Sequence, residues 1–201
     1  MNWIAAATVG AAALLGCAGS GGSGWRTLID GDKGLENFDR IGDANWRAEG
    51  GAVLADRGKS GFLVTRDAYR DFEMRAEFWA TSDTNSGVFI RCNSRESINA
   101  KTCYEVNIWD TRPDPKFGTG SIVDIKAVPV PLKNRAGGKW NTYEIIAKGS
   151  ALTVKLNGVE TAKAQDARHY DGPIGLQYAI GGVNGAQGGP IKWRKVQIRP
   201  L

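Results

Sequence analysis

Arg91, Glu105, Asn107 and Trp109 combine a cation, a carboxylate, an amide and an indole within one short stretch of chain, Asn85 to Asp110. That stretch reads Asn-Ser-Gly-Val-Phe-Ile-Arg-Cys, a polar interval, then Cys-Tyr-Glu-Val-Asn-Ile-Trp-Asp. Successive side chains of a strand point to opposite faces. Phe89 and Arg91 are therefore expected on one face and Val88 and Ile90 on the other, and likewise Glu105, Asn107 and Trp109 against Tyr104, Val106 and Ile108. With the aliphatic positions turned to a core, the four polar and aromatic groups share the opposite face. They offer what a sugar-sized ligand needs, polar groups to fix hydroxyls and a flat apolar surface for a ring.

Ordinary glycosidases flank the scissile bond with two carboxyl groups about 5 to 9.5 Å apart. Glu105 and Asp110 cannot form that pair within one strand, since five residues at ~3.3 Å separate them by roughly 16 Å and their side chains face opposite ways. A partner for Glu105 must come from another strand, with Glu73, Glu77 and Asp124 as candidates. Arg91 and Glu105 read equally well as a cross-strand ion pair that only stabilises a sheet. Asn85 and Asp110 stand at strand ends, where side chains bond loop backbone. The one histidine, His169, lies in a polar turn and is expected at the surface. Asp30, Asp32 and Asp110 could supply oxygen to calcium, but no spaced calcium motif supports this. No metal and no cofactor is assigned.

These residues need a scaffold. The chain of 201 residues holds seven Trp, 27 Gly and two Met, with short valine- and isoleucine-bearing runs broken by glycines. That pattern predicts a single all-β domain. Asp71-Phe-Glu-Met-Arg-Ala-Glu-Phe-Trp alternates most clearly, and its polar face, Glu73, Arg75, Glu77 and Trp79, is expected in solvent or on the floor of a cleft. Asn157-Gly158 is a hairpin turn signal. Thr111 to Gly120 is a proline- and glycine-bearing loop, Ser121 to Lys126 a short strand, and Gln165 to Tyr170 a brief helical turn. About a dozen short strands make a two-sheet sandwich. The net charge of +5 comes from scattered Lys and Arg without an aromatic-interleaved stripe, so no nucleic-acid partner is expected.

Residues 1 to 16 read as a signal peptide, and residues 17 to 24 as an anchor cysteine and flexible linker ahead of a domain over 25 to 201. Leu14-Leu15-Gly16-Cys17 closes the apolar run and resembles a bacterial lipobox. Cys17 would then carry lipid and tether the chain to a membrane of the cell envelope, on the periplasmic or outer-membrane side; an ordinary signal peptide with an unmodified Cys17 is the other reading. In an exported protein Cys92 and Cys103 are placed to form a disulfide across a local loop, with free thiols as the alternative.

The ordered motifs resemble the 3-keto-disaccharide hydrolase domain family, related to concanavalin A-like lectins and glucanases. The carriers are Asp71-Phe-Glu, Asn85-Ser-Gly-Val-Phe-Ile-Arg, Tyr104-Glu-Val-Asn-Ile-Trp-Asp, Trp140-Asn-Thr-Tyr-Glu-Ile, Leu156-Asn-Gly-Val, Gly172-Pro-Ile-Gly-Leu-Gln and Trp193-Arg-Lys-Val-Gln-Ile-Arg-Pro-Leu. The chain departs from the family pattern at Asn107, where glutamine is commoner, at Val123, where tyrosine often stands, and at Tyr178-Ala179, which replaces Asp-His. The resemblance implies a jelly-roll sandwich of two curved antiparallel sheets with a carbohydrate site on the concave face. It also implies cleavage of 3-keto-glycosides or 3-keto-disaccharides. In that chemistry Glu105 is the base at C2, Arg91 holds the carbonyl or enolate oxygen, Asn107 and Gln177 position hydroxyls, and Trp109 or Tyr178 stacks on the ring. Two other classes fit the same residues, a non-catalytic lectin-like module and a structural envelope protein.

Overall fold

Alternation along the strands is converted into two layers. The computed structural model describes residues 24–181 and 188–201; Cys17 and the expected signal peptide over residues 1 to 16 lie outside them. The eight-stranded sheet runs in the order β11 (Val159–Gln165), β10 (Ala151–Leu156), β9 (Lys139–Lys148), β6 (Phe72–Ala80), β13 (Ile191–Pro200), β4 (Ala52–Ala55) and β3 (Arg47–Glu49), with β1 (Arg26–Asp30) also on β13. The five-stranded sheet runs β2 (Phe38–Gly42), β5 (Ser60–Thr65), β12 (Gly175–Ala179), β7 (Ser86–Ile90) and β8 (Tyr104–Ile108). Pairing within both sheets is antiparallel. The expected all-β sandwich is what the chain forms.

The core between the sheets is built from alternate positions. Phe72, Met74, Ala76, Phe78 and Ala80 of β6 meet Val88 and Ile90 of β7, Tyr104, Val106 and Ile108 of β8, and Leu176 and Tyr178 of β12 in one continuous apolar cluster. Each fully buried aliphatic or aromatic side chain of this kind contributes about 1.5–3 kcal/mol of transfer free energy, so a one-residue slip of β8 would turn Tyr104, Val106 and Ile108 out of the core and bring Glu105 and Asn107 into it. The Asn157-Gly158 turn joins β10 and β11 with both residues at positive φ, 52° and 80°, as the hairpin signal requires.

Two local readings differ from the structure. Ser121 to Lys126 is a tight turn rather than a strand. Ile122 bridges both Val106 and Lys126, and Asp124 sits at φ 61°, which folds the segment back against the edge of β8. Gln165 to Tyr170 contains no helical turn, and His169 is buried rather than exposed. The chain there is held by the Tyr104 hydroxyl, which donates to Asp166 and accepts the His169 N–H at 3.0 Å.

Cys92 and Cys103 are disulfide-bonded, with their Cα atoms 4.2 Å apart. The bridge joins Phe89, Phe62 and Ile98 in a small apolar cluster separate from the main core. Closing a loop of this length restricts the unfolded chain, so replacing both cysteines by serine is expected to cost about 3 kcal/mol in urea unfolding.

Candidate functional site

The outer face of the five-stranded sheet carries the chemistry. Tyr104, Val106 and Ile108 enter the core, so Glu105 and Asn107 point outward. Their cross-strand partners on β7 are Phe89 and Gly87. On the other side of β7, Gly175 faces Phe89 and Leu176 faces Val88, which brings Gln177 beside Gly87. Beyond β8 the turn at Ile122 continues the sheet, with Asn107 N–H donating to Ser121 O and Val123 N–H to Glu105 O. One row across the face is therefore Gln177, Gly87, Asn107 and Ser121. The next is Gly175, Phe89, Glu105 and Val123.

Glu105 is 9% exposed, and its carboxylate has no hydrogen bond or ion pair among the described residues. The apolar cluster of Phe89, Phe62, Ile98 and the disulfide lies on its side of the sheet. Loss of hydration pushes its pKa up from 4.5 to about 7; the Arg112 guanidinium opposes this and Asp124 adds to it. A carboxyl group poised near neutral pH can both take and return a proton.

Around it lie polar atoms without partners. Seven buried side-chain N or O atoms among the described residues lack a hydrogen bond, and four belong to this patch: Asn107 Oδ1, Ser121 Oγ, Gln177 Oε1 and Trp109 Nε1. Asn107 is fully buried, and its amide is fixed by Nδ2 donating to Phe117 O at 2.6 Å. Leaving such groups unpaired costs about 1–3 kcal/mol each. Gly87 forms the floor between Gln177 and Asn107. A Cβ there would stand 3.0 Å from Val106 O and 3.5 Å from Glu105 Cγ and the Phe89 ring. Gly87→Ala is accordingly expected to lower stability by about 1–3 kcal/mol through overpacking, read by urea unfolding.

Two expected site residues are elsewhere. Arg91 follows the end of β7 at φ 52°, where the chain leaves the strand and alternation no longer applies. Its side chain is 1% exposed. It donates to the carbonyls of Arg70, Gly149 and His169 and to Asp71 Oδ1. It neither pairs with Glu105 nor reaches the outer face. Tyr178 neighbours Gln177 in β12 and so faces the opposite way, fully buried in the core.

Trp109 is half-buried just past β8, with the Arg112 guanidinium 5.8 Å from its ring centroid. Asp110 caps loop backbone, accepting from Ala136 and Gly137 N–H and from the Thr119 hydroxyl; Asn85 donates to Ile180 O. His169 packs edge-on against Tyr104 at 4.8 Å, with Nδ1 3.1 Å from Asn93 Oδ1. Of the proposed second acids, Glu73 and Glu77 project from β6 on the far side of the sandwich, bonded to Arg199 and Arg194. Only Asp124 influences Glu105.

Ser121, Gly87 and Arg112 join this face without standing out in the sequence. Ser121 shares its parity with Glu105 only because Ile122 is drawn into the core, and the Gly-Ser-Ile run before Val123 was the available signal.

Comparison with curated proteins finds no match. Among solved structures, a proposed glycosyl hydrolase from Parabacteroides distasonis superposes with TM-score 0.69 at 23% identity, covering 88% of this chain and 99% of that one. A second from the same organism gives 0.64 at 16%, covering 89% of each. A carbohydrate-binding module from Bacillus subtilis gives 0.53 at 14%, covering 88% and 95%. At these identities the likeness is one of fold. The family pattern of the 3-keto-alpha-glucoside-1,2-lyase-like domain matches residues 24–199, nearly all of the described sandwich, and the chain belongs to that family.

Proposed function

We propose that this domain cleaves 3-keto-glycosides at the outer face of the five-stranded sheet, with Glu105 as the base. The observation that carries the reading is the lone, desolvated Glu105 among unpartnered polar atoms, together with the family to which the chain belongs. A carbonyl at C3 acidifies the C2 proton. Glu105 removes it, and the electron pair of the C2–H bond delocalises onto O3 as an enolate. Reforming the C3 carbonyl makes the C1=C2 double bond and breaks the C1–O bond, and the leaving alkoxide takes the proton back from Glu105. Addition of water across C1=C2 then gives the free 3-keto sugar. The sequence requires one proton-transfer group and no second carboxylate, in keeping with the surroundings of Glu105.

Asn107, Gln177 and Ser121 would hold ring hydroxyls, and the Trp109 indole N–H, with the charge of Arg112, would stabilise the enolate oxygen. Trp109 also offers ring surface to the sugar. A lectin-like module is the second reading, favoured by the carbohydrate-binding module of the same fold. Incubating the protein with a 3-keto-glucoside and following the released aglycone decides between them: cleavage is expected, and saturable binding without release would establish the lectin. We also propose that the chain is exported and acylated at Cys17. Membrane fractionation with a Cys17→Ala variant tests this, and retention of the variant in the membrane would refute it.

A further inference from the structure

Trp79 and Trp140 are cross-strand partners on β6 and β9, facing outward from the eight-stranded sheet, on the opposite side of the sandwich from Glu105. Lys192 Nζ lies 5.0 Å from the Trp79 centroid and the Arg194 guanidinium 4.4 Å from that of Trp140. Trp140 remains 37% exposed. Along the strands the next outward rows are Thr142, Glu77 and Lys195, then Glu144, Arg75 and Gln197. These six side chains line an open groove of about 530 Å³. At its far end stands Trp25, with Arg75 and Arg199 at 4.8 and 4.9 Å from its ring. Four residues of strand separate Trp79 from Arg75, a run of ~13 Å.

Solubility requires charge on such a face but not tryptophan. Here aromatic surface stands at both ends of the groove, and the carboxylates Glu73 and Glu77 are held by arginines of the same face. Arg194 donates to Glu77 and Arg199 to Glu73, both at 2.5 Å, and Arg75 pairs with Glu73 at 3.4 Å. Ion pairs thus hold donors and acceptors in place beside the aromatic surfaces, which suits a ligand rich in hydroxyls and carrying apolar C–H faces.

The geometry points to a second carbohydrate-binding site on this face, one that takes a neutral oligosaccharide along β9, β6 and β13. It is separate from the chemistry proposed for Glu105 and stands whether or not that chemistry occurs. Titration of the full chain with maltohexaose, cellohexaose, laminarihexaose and mannohexaose, followed by calorimetry, tests it. At least one hexaose is expected to bind. Trp140→Ala should weaken that binding tenfold or more, Trp140→Phe and Glu144→Gln less, and Glu105→Gln should leave it unchanged. Thermal unfolding of each variant confirms folding, and should Trp140→Ala fail to fold, Trp140→Phe and Glu144→Gln carry the comparison. The proposal is overturned if no hexaose binds or if binding survives every substitution on this face.

Discussion

Glu105→Gln is expected to lower turnover of a 3-keto-glycoside by about 10²- to 10⁴-fold, the usual contribution of a positioned general base, while glycoside affinity changes little. The substitution keeps shape and removes only the ability to take a proton. In the unaltered protein the base is active when ionised, so kcat/KM should rise with pH, reach half its plateau near pH 7 and stay level above it, following the raised pKa of Glu105. A profile already flat at pH 5 would mean that another group takes the proton.

The same carboxylate should make the protein less stable as pH rises. Its pKa in the folded state, about 7, exceeds the ordinary 4.5, so between these values the folded chain binds more protons than the unfolded one. By linkage, unfolding free energy falls across that window. The glutamine variant lacks this titration. Its stability relative to the unaltered protein should therefore improve by about 3 kcal/mol between pH 4 and pH 8, a difference read from urea unfolding at the two pH values. A variant that loses turnover while gaining stability at alkaline pH identifies Glu105 as a group kept for chemistry at a cost in folding; equal pH dependence in both proteins would show that the burial does not perturb it.

Legibility from sequence followed the backbone. Where a strand is regular, period two placed residues correctly: Glu105 and Asn107 outward, Val106 and Ile108 inward. It failed where the chain leaves the strand. Arg91 stands one residue past Ile90, and its φ of 52° turns the side chain into the protein, a change that alternation cannot register. Tyr178 was a failure of a different kind, since adjacent strand residues cannot share a face and Gln177 already occupied the outer one. Ser121 and Arg112 come to Glu105 through loops, whose paths depend on contacts such as Asp110 to Ala136 and Gly137. Those contacts link positions far apart in sequence and carry no local periodicity.

Arg91→Met is expected to destabilise the fold by about 3–5 kcal/mol, since three backbone carbonyls lose their donor at about 1–3 kcal/mol each, without acting on the chemistry. The guanidinium spends its donors on four groups from separate parts of the chain. Nε reaches Arg70 O at 2.7 Å, Nη1 reaches Gly149 O at 2.6 Å and His169 O at 3.4 Å, and Nη2 reaches Asp71 Oδ1 at 3.0 Å. It thereby ties the start of β6, the β9–β10 turn and the segment before β12 to the end of β7. Burial disfavours its charge and Asp71 supports it, so methionine would recover the desolvation cost but leave three carbonyls without their donor. Lysine should rescue little, because one ammonium group cannot reproduce a planar fork of donors. Urea unfolding of Arg91→Met and Arg91→Lys measures this, and kcat/KM per folded molecule should stay near that of the unaltered protein. A stable Arg91→Met variant that had lost turnover would return Arg91 to the reaction and displace Trp109 and Arg112 from the role of stabilising the enolate.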